Sequence, residues 1–305
     1  MKEYFSLQHR IINRKLTEFG LRPSIAYILA IAAFTSLVLL LYAKTDLAKY
    51  VLILLYLASL SPLNEKKRNS FLKSCFPLSD YRKLRLIENI LFAIPFAFAL
   101  LAKLDFLMIP VLIIIAIVFA RTQLSSNISL IIPSPFSKRP FEFSVGFRKT
   151  FYLFLLAYIL AGISIVVDNA NLGIFAILLI FAVSLSFYAN KENEYYIWSF
   201  ACSPAKFLLA KIKTAAIYAS LICIPILIGL LIVFPEDYLY TLVFMIVGLS
   251  YLITTILAKY SAYPNDMSLP QVIIMFFCII LPPIMLFVIP SLFRRSVDRL
   301  KVLLA

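Results

Sequence analysis

Long apolar runs separated by short polar ones are the dominant pattern of this chain. Uninterrupted apolar stretches fall near 24–43, 47–62, 86–103, 106–120, 150–167, 172–189, 214–234, 239–258 and 271–290. Crossing a hydrocarbon core ~30 Å thick takes ~20 helical residues. Backbone groups in lipid must bond within their own segment, so the pattern predicts spanning helices. The strict alternation of a membrane barrel is missing. The expected fold class is all-α: a polytopic helical membrane protein. Hydrophobic residues make up 63% of the 305 positions, charged ones 14%, and mean hydropathy is +0.96, which leaves no room for a separate soluble domain.

The stretch at 271–290 departs from the others because Pro282 and Pro283 stand at its middle. A proline pair removes two backbone donors and turns the preceding residue away from helix. The preferred expectation is a broken, re-entrant hairpin of two half-helices. The alternative is a plain ninth span that carries the tail RRSVDRLK to the far side.

Charge then orients the chain. Of the 29 lysines and arginines, all but Lys44, Lys49 and Lys103 fall in 1–23, 63–85, 121–149, 190–213, 259–270 and 291–305, which alternate with brief acid-marked loops. This positive-inside bias predicts a cytosolic N-terminus in a bacterial cytoplasmic membrane. The first 20 residues carry Lys2, Glu3, Arg10, Arg14, Lys15 and Glu18, so a cleavable signal is not expected. Tyr4, Phe5, Ile11, Ile12, Leu16 and Phe19 recur there at helical spacing, predicting a helix lying in the interface. The counterpart SKRPFEFSVGFRK is broken by Pro140 and alternates its aromatics, so no helix is expected there.

Two polar interruptions share one layout: NEKKRNSFLKSCFPLSDYRKLRL from Asn64 and NKENEYYIWSFACSPAKFLLAKIK from Asn190. A shift of 127 residues carries Glu65 onto Glu192, Phe71 onto Trp198, Cys75 onto Cys202 and Pro77 onto Pro204, and one of 126 carries Gly20 onto Gly146. The expectation is a tandem of two parallel four-span repeats, 1–125 and 126–258, followed by 259–305 as hairpin and basic tail. Each polar segment suits a short surface helix ended by proline.

On these residues the chain resembles the type 2 family of ABC exporter permeases. The second segment supplies Glu192, the apolar pair Ile197 and Trp198, Pro204, and LLAK ending at Lys211. The first supplies Glu65, Phe71, Leu72 and Pro77, with Leu84 in place of the lysine. The familiar subunit has six spans and one coupling helix, whereas two four-span units are read here. The resemblance implies a permease subunit moved through its coupling segments by a separate ATP-binding cassette ATPase. It implies Glu65, Arg68, Phe71, Phe76, Pro77, Tyr81, Glu192, Glu194, Trp198, Pro204 and Lys206 as the partner surface. Membrane lipid surrounds it, and a homodimer or a second permease is the expected companion.

The remaining chemistry argues against catalysis, and no cofactor is expected. His9 is the only histidine and the four cysteines have no paired spacing, so metal or triad chemistry lacks its parts. No glycine-rich loop precedes a Lys-Ser or Lys-Thr, so the motor must be another polypeptide. The +14 charge lies in alternate loops, which fits a membrane surface and not nucleic acid. Ionisable groups are read as avoiding the bilayer centre. Glu88 and Asn89 are read mainly as a snorkelling anchor, with a gating role as the alternative. A membrane scaffold that binds anionic lipid or assembly partners without transport is the competing function.

Overall fold

The computed structural model describes residues 1–122, 136 and 141–304, and among them it holds thirteen α-helices and no strand. Every apolar stretch is helical, so the chain is an all-α, polytopic membrane-type protein. The expected repeat boundary at 125/126 and Pro140 lie outside the described residues. By its contacts the chain divides into two units, Met1–Ser129 and Leu130–Ala305.

The first unit opens with α1 (Lys2–Phe19), which buries none of its residues. It stops at Gly20, whose φ of 101° only glycine adopts freely; there the Gly20 and Leu21 amides donate to Thr17 O and Leu16 O. Helix α2 (Pro23–Lys44) buries only Ala26 and Val38. The core forms among α3 (Ala48–Leu60), α5 (Leu78–Ala102) and α6 (Met108–Arg121), around Leu52, Tyr56, Phe96, Leu100 and Leu112. Between α3 and α5 runs α4 (Lys66–Cys75).

The second unit contains α7 (Glu142–Val166), α8 (Ala170–Ser186), the single turn α9 (Glu194–Trp198), α10 (Pro204–Val233), α11 (Tyr238–Ala262), α12 (Leu269–Ile280) and α13 (Met285–Leu304). Helix α8 is its centre, burying Ile177, Ile180 and Phe181 among others. Helix α11 passes so close that a Cβ on Gly248 would sit 2.3 Å from the Phe181 ring. The expectation of no helix before residue 150 is corrected. Glu142 to Lys149 are helical, and a kink at Thr150 (φ −123°, ψ 17°) separates them from the rest of α7. Phe143 there stands edge-on to both Phe136 and Phe187, so tertiary packing overrides the alternating pattern.

Two lengths recur. Five helices are long and apolar enough to cross a membrane, within Pro23–Lys44, Leu78–Ala102, Glu142–Val166, Pro204–Val233 and Pro235–Ala262. The apolar helices α3, α6, α8 and α12 are shorter. At ~1.5 Å per residue α3 and α6 rise only ~20 Å. The third and seventh stretches also begin earlier than hydropathy suggests. Pro77 is the residue that caps the start of α5 and Pro204 is the first residue of α10, positions where a missing N–H costs nothing. The helix therefore starts inside the charged segment.

The proline pair does break the last stretch. Leu281 leaves the helical region, Pro282–Ile284 form a 3-10 turn, and α13 folds back. The Ser296 hydroxyl donates to Leu257 O at 2.8 Å, laying α13 along α11. Leu303 ends beside Trp198 and Tyr263, at the end of the unit that holds α9. In sealed vesicles of a cysteine-free background, Tyr195→Cys and Val302→Cys are expected to react with an impermeant maleimide from the same side. Labelling from opposite sides would mean that the tail crosses.

Candidate functional site

The segment between α8 and α10 is short of regular structure. Asn193 caps α9, its side-chain oxygen accepting from the Tyr195 amide at 3.1 Å. One residue earlier, the Glu192 carboxylate turns inward with 6% of its side chain exposed. It accepts from Tyr260 Oη at 3.0 Å and from Lys211 Nζ at 3.3 Å, and it pairs with Lys259 Nζ at 2.8 Å. Lys211, whose side chain is wholly buried, also pairs with Glu142 at the start of α7. The Tyr263 hydroxyl donates to Glu192 O at 3.4 Å. A segment from one loop is thus fastened to α7, α10 and α11.

Two carboxylates and two ammonium groups balance in charge. Aromatic rings complete the seat, with the Lys211 ammonium 4.9 Å from the centre of Tyr196, 5.3 Å from Phe207 and 5.7 Å from Phe200. Burial, then the Glu194 and Glu192 charges, pushes the Tyr263 phenol up to about 12. Outward from the cluster, Trp198 is 67% and Tyr195 78% exposed. A cleft of about 490 Å³ runs from Lys191 to Leu303 past Trp198, and one of about 650 Å³ runs from Trp198 to Leu304.

The first unit carries a different polar cluster under its own segment. The Tyr4 hydroxyl of α1 donates to Glu88 Oε1 at 2.6 Å, and Arg68 of α4 donates to Tyr4 Oη at 2.7 Å and pairs with Glu88. Burial and the hydrogen bond to Glu88 push the Tyr4 phenol up to about 12. Arg85 has no exposed surface. It donates to Leu63 O at 2.6 Å, to Phe119 O at 3.1 Å and to Asn64 Oδ1. Asn89 donates to Ala116 O at 3.0 Å, while its own carbonyl accepts from Tyr56 at 3.0 Å. Phe119 lies in the last turn of α6, where carbonyls lack helical partners, so Arg85 satisfies a helix end.

The residues expected to form one partner surface separate into two groups. Glu65, Phe71, Glu194, Trp198 and Lys206 are exposed. Arg68 is partly covered, Phe76 stands edge-on to Tyr4, Tyr81 and Glu192 point inward, and Pro77 and Pro204 start helices. Glu88 is corrected from snorkelling anchor to buried, ion-paired group, 7% exposed, with Asn89 fully buried beside it. Four further ionisable groups, Glu142, Glu192, Lys211 and Lys259, are buried close to helix ends or in the segment between helices. Sequence reading passed over Glu142, Lys259, Tyr260 and Arg85, and it placed Lys211 in a motif without expecting it to be buried. The usable signal was a lysine inside an apolar helical stripe: Phe207, Leu208, Lys211, Ala215 and Ala219 share one buried face of α10.

No three His, Cys, Asp or Glu side chains gather as a metal site among the described residues. No family model, curated protein or solved structure matches this sequence.

Removing one partner of a buried ion cluster leaves charges without a counterpart, a loss of about 3–5 kcal/mol. Glu192→Ala is therefore expected to melt well below the native protein in detergent micelles, while Glu194→Ala melts unchanged. Equal melting of the two would place the Glu192 carboxylate in water.

Proposed function

We propose that the chain is the permease subunit of an ATP-driven exporter in a bacterial cytoplasmic membrane, moved by a separate ATP-binding cassette ATPase. The observation that carries this reading is the inward-turned Glu192. Helix α9 is a single turn that could not hold its shape alone. Its aromatic side faces out through Trp198 and Tyr195, and the residue preceding its cap is locked to α10 and α11. Force applied at Trp198 would pass directly into the spanning helices, since slipping an ion pair inside a low-dielectric interior is costly. That is what a coupling element needs.

The tandem repeat is part of the proposal. Each unit runs long helix, shorter helix, polar segment, long helix, helix, as α2 to α6 and α7 to α11. Arg85 and Lys211 stand at the same position in α5 and α10, two turns past the helix start. A parallel duplication gives both segments one aqueous side, and the positive-inside bias makes that side cytosolic. The chain then offers two handles for a pair of ATPase subunits. Their closure on ATP would rearrange the spans between inward-open and outward-open states.

Affinity purification of the full chain from its native membranes tests this. An ATP-hydrolysing subunit is expected to co-elute. Trp198→Asp, which removes an exposed aromatic anchor, is expected to lower the co-eluting ATPase about tenfold or more. Co-elution of a non-ATPase partner alone would favour the scaffold, and an ATPase indifferent to Trp198 would remove the coupling role.

A further inference from the structure

A trough of about 590 Å³ opens between α2 and α5 in the first unit. Its lining mixes small residues, Ala30 on α2 and Ala99 and Ala102 on α5, with Phe34, Phe96 and Phe98, and of the three alanines only Ala99 is buried. Phe34 meets Phe96 edge-on at 5.2 Å, joining the helices at one level and leaving a channel alongside. The lining asks for no polar partner along its length. Thr35 spends its hydroxyl on Ile31 O at 2.9 Å, and Tyr27 donates to Asn13 at 2.8 Å. At one end stands Lys103, the residue that caps α5.

Lys103 is what distinguishes this trough from ordinary lipid-facing surface. Its ammonium lies 5.4 Å from the centre of the Tyr42 ring and makes no ion pair with a described carboxylate. The adjacent Asp105 is already engaged by Lys49 at 3.9 Å and by the Tyr42 hydroxyl. A cation with no carboxylate partner among the described residues therefore stands at one end of an open, apolar groove. On α2 the lining extends from Tyr27 to Leu39, a rise of ~18 Å. One leaflet of a bilayer contributes half of a ~30 Å core, ~15 Å.

We propose that the trough between α2 and α5 binds one acyl chain of an anionic phospholipid, with the phosphate at Lys103. Charge selects the headgroup and channel length selects the tail. The site is built by the first unit alone, shares no residue with the Glu192 cluster and needs no ATPase, so it stands or falls separately from the transport reading.

The test is native mass spectrometry of the delipidated full chain, titrated with phosphatidylglycerol and phosphatidylcholine of identical palmitoyl-oleoyl tails. Phosphatidylglycerol is expected to be retained about fivefold over phosphatidylcholine, the worth of one lysine beside an anionic head. Lys103→Glu should erase that preference, and Lys44→Glu, outside the lining, should keep it. Ala99→Trp, which places a large ring on the lining, should lose both lipids, with melting temperature confirming that each variant is folded. Equal retention of the two lipids, a preference that survives Lys103→Glu, or binding that survives Ala99→Trp would each overturn the assignment. So would efficient cross-linking between copies through Ile31→Cys, which would give the trough to a second chain.

Discussion

The Glu192 carboxylate shared by Lys211 and Lys259 is the interaction on which the second unit is organised. Burying four ionised groups forfeits several kcal/mol of hydration per group, and their mutual attraction returns it only with close geometry. An apolar quartet of equal volume could hold the helices at least as firmly. What the charged arrangement adds is position. An apolar contact can slide along a helix by a turn and lose little, whereas a carboxylate that leaves two ammonium groups behind in an aromatic seat has nowhere comparable to go. The charged arrangement thereby fixes the register of the segment before α9 against α10 and α11.

The first unit meets the same architectural demand with different chemistry. Arg85 occupies the position of Lys211 but finds carbonyl oxygens at helix ends instead of carboxylates. A guanidinium can do this because its planar fork of donors reaches several acceptors at once and because it stays charged. A lysine in that seat would satisfy fewer of them. The carboxylate of this unit, Glu88, is engaged instead by Arg68 and by Tyr4 from α1. The amphipathic α1 is thereby held to the bundle by a polar link, although none of its residues is buried. The two units resemble each other in helix order and differ in what holds the polar segment.

Much of the fold was legible because hydropathy reports burial in lipid directly. Every apolar run became helix, the amphipathic α1 formed, and Pro282 with Pro283 broke the last stretch where two missing donors require it. The buried clusters were not legible for a related reason. Charge was read as marking the ends of spans, so Lys211 and Lys259 were assigned to polar loops. Yet Phe207, Leu208 and Ala215 place Lys211 on the most buried face of its helix. Composition also cannot say that a proline starts a helix inside a charged segment, because the same residue ends one elsewhere. Glu142 was lost to its alternating aromatic neighbours, whose helical arrangement is decided by Phe136 and Phe187, distant in sequence.

Helix length explains why charges can be buried at these positions at all. Helix α8 ends at Ser186 after 17 residues, whereas its neighbour α10 continues for 30. A difference of 13 residues is ~20 Å of helix, so α10 outreaches α8 and leaves vacant volume beside its first turns. The polar segment 187–203 folds into that space, covering Lys211 with protein where lipid would otherwise be. Helices α3 and α5, of 13 and 25 residues, create the same step in the first unit, and Asn64 and Arg85 fill it. Irregular backbone at such depth survives only when other protein covers it. The short helices thus make the recess, the recess shelters the charges, and the charges fix the segment that faces water.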